Sequence, residues 1–134
     1  IIHPKFGPTK IEKISATDGA SKTLLVGEMN YGLKNYYWNA CKPANTVKGG
    51  ETRWAVGYPG VTWGSAAGGL NPDRLATLEY GLFYDEYEAF RSDHPGGVNF
   101  VMVDGSVRFL SDKIHHDVLK SLANRNDGEP RGDF

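Results

Sequence analysis

Acid–base and metal chemistry use the side-chain types of His94, Asp104 and Glu28, which are the candidate site residues of this sequence. A histidine beside a carboxylate can act as a general base, and both groups bind divalent metals. His94 and Asp104 stand ten positions apart, so an extended chain would separate them by more than about 20 Å unless the Pro-Gly-Gly segment after His94 folds back. Because the sequence also lacks a recognisable nucleophile elbow or phosphate loop, we predict that the protein is not an enzyme.

Glu28 has several alternative roles, because it lies near the end of an apolar run of strand length over residues 23–29. Such a run predicts a strand that is buried on both faces. The carboxylate could then pair with His94 or Arg108, coordinate a cation, or face water. We favour water or an ordinary structural pair, because perturbed carboxylates are also common in structural networks.

A tight β-hairpin is predicted around Asp104 and Gly105, which lie between two runs of β-branched and aromatic residues. A two-residue type I′ loop requires positive φ at both positions, and Asp-Gly suits it. In this register Phe100 is opposite Phe109 and shares its sheet face. The predicted buried face comprises Val98, Phe100, Met102, Val107 and Phe109. In this interpretation Asp104 and Gly105 serve the turn, and His94 makes local hydrogen bonds.

A short helix is predicted after the hairpin, over residues 114–123. Ile114, Val118 and Leu122 repeat at helical spacing, which predicts an apolar stripe that covers one face of the hairpin. The adjacent His115 and His116 would point about 100° apart on a helix, so they cannot bind one metal from the same face.

Two further elements are predicted upstream of the hairpin. The small, glycine-rich segment at residues 64–71 predicts a loop. Pro72 and Asp73 then favour the start of a helix, because Leu75, Leu78 and Leu82 follow at helical spacing.

The region from residue 30 to residue 69 is rich in aromatic side chains, including Trp38, Trp54 and Trp63. Aromatic rings can form a platform on which a sugar or another protein stacks, and they can equally build a small core. We favour the core. A carbohydrate- or protein-binding module that uses these tryptophans is the first alternative function, and a hydrolase that uses His94 with a nearby carboxylate is the second.

Calcium is the one cofactor that the sequence suggests, because Asp85, Glu86, Glu88 and Asp93 form an acidic cluster of oxygen ligands. The cluster lacks the D-x-D-x-D-G frame of a calcium loop. A solvated acidic face is therefore the preferred interpretation, and we predict no cofactor.

Composition predicts a single globular domain over residues 1–134, with 40% hydrophobic and 23% charged residues. The formal net charge of −1 gives no electrostatic reason to expect a nucleic-acid partner. The single cysteine, Cys41, excludes an internal disulfide. No stretch approaches the roughly 20 apolar residues that span a bilayer.

Two segments, one from His94 through the Asp104-Gly105 turn and one from Asp18 to Glu28, resemble segments of a large family of prepilin-like proteins of unknown function that is abundant in planctomycete bacteria. HPGGVNFVMVDGSVRFLSD, from His94 through Asp104 and Gly105, is similar to the family's C-terminal H-x9-D-G motif. DGASKTLLVGE, from Asp18 to Glu28, resembles its internal D-G-T-S-N-T-I-L-V-G-E segment.

The resemblance implies a pseudopilin-like subunit that works through protein contacts, with self-assembly as one form of contact. The expected fold is α+β and loop-rich, with an antiparallel sheet, the hairpin and a covering helix. Family members are expected to carry a prepilin leader and a long apolar helix, so we expect this chain to be the C-terminal part of a longer precursor. The expected location is the cell envelope, with any membrane contact made through that upstream helix.

Overall fold

The computed structural model of the protein describes residues 2–3, 7–29, 32–38, 46–49, 63–72, 76–77, 88–125 and 128. This part of the chain contains two α-helices, one short 3-10 helix over Ala20–Lys22 and ten β-strands. The helices are α1 (Ile11–Thr17) and α2 (His116–Ala123). The strands are β1 (Ile2–His3), β2 (Gly7–Pro8), β3 (Leu24–Gly27), β4 (Gly32–Trp38), β5 (Thr46–Gly49), β6 (Ser65–Leu70), β7 (Ala76–Thr77), β8 (Ala89–Phe90), β9 (Gly97–Met102) and β10 (Val107–Ser111). The predicted α+β class is confirmed.

The central sheet is antiparallel and has the strand order β10-β9-β3. β4 pairs antiparallel with β5 and parallel with β7, while β6 pairs parallel with β8 and β1 pairs antiparallel with β2. Neither helix in the described part of the chain is long and apolar enough to cross a membrane.

The hairpin is present, but its predicted register is wrong by one residue. Val107 pairs with Val101, and Phe109 pairs with Asn99. The loop holds three residues, because the amide of Met102 donates to the carbonyl of Ser106 at 2.8 Å. Only Gly105 has a positive φ, of 86°, which fits a three-residue loop that ends in a left-handed residue.

Contacts from another segment hold this loop. The amide of Val103 donates to the carbonyl of Thr23 at 2.9 Å, and the amide of Asp104 donates to the carbonyl of Ala20 at 3.1 Å. A two-residue loop would require positive φ at Asp104 as well, which costs more for aspartate than for glycine. Tertiary contacts and backbone strain therefore favour the longer loop.

The shift in register changes which side chains of β10 face the core. Leu110 is buried opposite Val98, whereas Val107 and Phe109 are exposed, contrary to prediction. A slip of one residue moves every side chain of a strand to the other face of the sheet. Val98, Phe100 and Met102 are buried as predicted, because their own strand alternates as expected.

The hydrophobic core lies between this inner sheet face and α2. Leu119 and Leu122 of α2 are buried in the same cluster as the inner residues of β9, and Ile114 and Val118 pack against it. The helix begins at His116, two residues later than predicted, with His115 at its N-cap. The imidazole Nδ1 of His115 accepts the amide of Asp117 at 3.3 Å, so this side chain caps the helix.

Three other predictions need correction. The segment at 64–71 is mainly the strand β6 rather than a loop, and its Ala66 and Leu70 belong to the core. Strand β3 is not buried on both faces, because Val26 points outward. The helix predicted after Pro72 is not supported where it is described, since Ala76–Thr77 form β7. Its three leucines, Leu75, Leu78 and Leu82, lie outside the described residues.

Candidate functional site: the Glu28 carboxylate and His94

Glu28 lies directly after β3, and its backbone is fixed on both sides. Its amide donates to the carbonyl of Asn99 at 3.1 Å, and its carbonyl accepts the amide of Arg91 at 3.2 Å. The residue before it, Gly27, packs so closely that a Cβ there would lie 2.5 Å from the rings of Phe90 and Phe100. Glycine at this position therefore allows two aromatic rings to pack beneath the strand end that carries Glu28.

Asn99 and His94 both contact the carboxylate of Glu28. Oε2 accepts the backbone amide of Asn99 at 2.9 Å, and Oε1 accepts the Asn99 side-chain amide at 3.2 Å. The imidazole Nε2 of His94 lies 3.3 Å from Oε1. Of the alternatives for Glu28, the structure shows a pair with His94, in which Glu28 is half-buried and His94 is exposed.

This environment favours the ionised carboxylate. The Asn99 backbone N–H is the main cause that lowers the pKa of Glu28. Partial burial opposes that effect, whereas the Ser92 hydroxyl, the Asn99 amide and the charge of His94 lower the pKa further. Glu28 therefore carries a negative charge at neutral pH, held at the end of the sheet.

The order of the groups differs from that of a nucleophilic triad. The Ser92 hydroxyl and the His94 imidazole both contact the Glu28 carboxylate, and Ser92 Oγ accepts the backbone amide of His94 at 3.1 Å. A Ser-His-Glu triad requires the imidazole between the hydroxyl and the carboxylate. Here the carboxylate lies between them, so the imidazole does not activate the serine.

Asp104 and His94 are not brought together. Asp104 Oδ1 accepts the amide of Ser106 at 2.8 Å and the hydroxyl of Ser106 at 2.6 Å. The Ser106 hydroxyl is the main cause that lowers the pKa of Asp104. The six-residue strand β9 separates this turn from the His94 loop, which corresponds to about 20 Å. Asp104 and Gly105 thus contribute to the turn, and Glu28 is the carboxylate partner of His94.

Sequence reasoning missed Asn71, which bonds to the segment that carries His94. Its Oδ1 accepts the amide of Ser92 at 2.8 Å, and its Nδ2 donates to the carbonyl of Gly97 at 3.3 Å. Nothing in the spacing of the sequence relates Asn71 to His94. The only sequence signal is the Asn-Pro pair, which is typical of a turn.

The other candidate residues lie apart or outside the described structure. The Trp63 side chain is exposed, Trp38 ends strand β4, and Trp54 lies outside the described residues. In the described ranges, no three or more His, Cys, Asp or Glu side chains are grouped as metal ligands would be. Asp85 and Glu86 of the proposed calcium cluster are not among those residues.

Replacing Glu28 with Gln should make the stability of the protein less sensitive to acid. The pKa of Glu28 is lowered in the folded state, so its stabilising effect is present above the unfolded value of about 4.3 and disappears as the pH falls through the folded value. Urea unfolding at pH 7 and pH 3 measures the free energy of unfolding at each pH. Between pH 7 and pH 3 this free energy should fall less for E28Q than for the natural protein. Equal losses in the two proteins would contradict the assigned ionisation.

Taken together, the structure defines an α+β domain with a His-Glu pair at the open end of its central antiparallel sheet. The chain belongs to the family SBP_bac_10, described as "Protein of unknown function (DUF1559)", whose model matches residues 7–117. The matched range includes Glu28, His94 and the Asp104-Gly105 turn. No curated protein and no solved structure gave a significant match to the chain.

Proposed function

We propose that the protein is an exported, pilin-like structural subunit of the cell envelope that works through protein contacts rather than catalysis. The observation that carries this proposal is the apolar outer face of the central sheet. The resemblance of the H-x9-D-G and D-G-A-S-K-T-L-L-V-G-E segments to prepilin-like proteins supports the same function.

The outer face is defined by residues from all three strands of the sheet. Val26 pairs with Val101, which pairs with Val107, so these valines form one row across the sheet. Phe109 is opposite Asn99 in the next row. The exposed fractions are 59% for Val26, 67% for Val107 and 51% for Phe109.

An apolar row of this kind is costly in water unless another surface covers it. Contiguous exposed apolar residues on a soluble domain mark interaction sites more often than isolated ones do. The Glu28–His94 pair borders the same face through Asn99, and so adds a polar, charged edge. An apolar centre with a polar edge is the usual anatomy of a protein interface.

Protein subunits, including further copies of this chain, are the proposed partners. The proposal includes no nucleic acid, because the formal charge is −1. In this proposal any membrane contact is made by an apolar helix upstream of Ile1. The proposed function requires no metal, and a bound calcium ion is the less favoured alternative.

Sedimentation velocity over a wide concentration range tests self-assembly, and Phe109→Lys is the informative variant. A lysine in the outer face should weaken association by at least roughly tenfold, which corresponds to about 1.4 kcal/mol. Ile11→Lys is the matched control, because Ile11 is also more than half exposed but lies on α1. A natural protein that stays monomeric, or an F109K variant that associates as strongly, would contradict self-assembly through this face.

A carbohydrate-binding module is the second candidate, because the Trp63 ring is exposed. An exposed indole can stack on a sugar ring. Titration with soluble polysaccharides, monitored by tryptophan fluorescence, should show saturable quenching that Trp63→Ala abolishes if this alternative holds. The absence of any saturable change would leave protein contacts as the preferred function.

A further inference from the structure

Asn71 has an unusual backbone conformation at the end of β6. It is the only non-glycine residue with positive φ in the described part of the chain, with φ of 44°. Asparagine tolerates this left-handed region better than most residues, but the conformation still persists only where surrounding contacts hold it. The contacts of Asn71 therefore indicate what its conformation achieves.

Those contacts fasten both ends of one loop. The side-chain Oδ1 of Asn71 accepts the amide of Ser92, and Nδ2 donates to the carbonyl of Gly97, at 2.8 and 3.3 Å. The Asn71 amide also donates to the carbonyl of Phe90 at 3.1 Å. A single side chain thus joins the two ends of the segment from 92 to 97, which has His94 near its centre.

In this position the loop contacts Glu28. Ser92 and His94 both contact the Glu28 carboxylate, while Asn99 holds the same carboxylate from β9. Gly96, with φ of 81°, and the exposed Pro95 lie between His94 and β9. His94 itself is exposed, so little packing holds its ring in place.

We infer that Asn71 is the positioning residue of the Glu28–His94 pair, because its side chain closes the loop that presents His94. Without the amide, the loop loses two hydrogen bonds at its ends, and the imidazole exchanges its contact with Glu28 for water. The functional unit then has three parts: the carboxylate after β3, the histidine loop, and the asparagine after β6. This inference concerns the geometry of the pair and does not depend on the proposed assembly.

The decisive variant is Asn71→Gly, because glycine accepts the left-handed conformation and lacks the amide. The readouts are the NMR cross-peak between the His94 ring and the Glu28 side chain and the titration of the Glu28 carboxyl carbon. Within the described residues, Arg91 and Asp93 are the charged neighbours of His94 along the same segment, and N71G leaves both of them, His94 and Glu28 in place. We expect the cross-peak to lose most of its intensity. We also expect the pKa of Glu28 to rise part of the way to its ordinary value, since the Asn99 amide remains.

Thr17→Ala is the matched control, because the Thr17 hydroxyl makes hydrogen bonds on α1 and with the Arg125 carbonyl. It should leave both readouts unchanged. Asn71→Asp keeps an acceptor for the Ser92 amide and should retain part of the cross-peak, and this variant decides the matter if N71G does not fold. The inference would be overturned if N71G kept the cross-peak intensity and the Glu28 titration of the natural protein. It would also be overturned if N71D lost the cross-peak completely.

Discussion

Phe100→Ala should lower the free energy of unfolding by about 3–5 kcal/mol, the usual cost of truncating a buried phenylalanine. Phe100 is 1% exposed and lies in the centre of the core cluster. Its ring packs edge to face on Phe90, with ring centroids 4.9 Å apart. Truncation removes that contact and leaves a cavity beneath β3. Chemical denaturation by urea, followed by circular dichroism, measures the loss.

Phe109→Ala is the matched control on the same hairpin. Phe109 is 51% exposed on the outer face, so its loss should cost only about 1 kcal/mol. In the register predicted from sequence, both rings would lie in the core and both substitutions would be costly. Equal losses for F100A and F109A would therefore contradict the three-residue loop and support the two-residue loop.

Leu119→Ala should have the second-largest effect, a loss of about 2–5 kcal/mol. Leu119 of α2 is fully buried and belongs to the hydrophobic core cluster. Alanine is a good helix former, so the loss reports packing rather than helix propensity. The melting temperature and the urea midpoint should fall together, while the helical circular dichroism of the folded protein stays unchanged.

Leu25→Ala provides the comparison, since Leu25 is an exposed leucine on β3. Its truncation should change stability by less than about 1 kcal/mol. A small loss for L119A, comparable to that for L25A, would mean that α2 does not cover the core. That result would be incompatible with the burial of Leu119 and Leu122.

The residues of the Glu28–His94 pair could be predicted from the sequence, but their contact could not. Both residues stand out by type, and the pairing of Glu28 with His94 was one of several alternatives. The sequence could not select among them, because the two residues are separated by 66 positions and meet only when β3 aligns beside β9. Asn71 carries no comparable signal, because its side-chain amide contacts backbone groups, which nearly every residue type has.

The sequence by itself determined several local elements of this protein, although not β6 or β7. Alternating apolar residues specify β9, the Asp104-Gly105 pair specifies a turn, and the spacing of Val118 and Leu122 specifies a helix with one buried face. These patterns act through nearest neighbours along the chain, so they can be read without a partner segment. The class of fold follows from them.

Only the tertiary structure decided the register, the exposed face and the site. The carbonyls of Ala20 and Thr23 hold the hairpin loop at three residues, which turns Phe109 outward and Leu110 inward. A small change of loop length reverses an entire strand face, and hydrogen bonds from a segment some 80 positions away settle it. The His94 loop depends in the same way on Asn71 and Glu28, because contacts between distant segments exist only after the chain has folded.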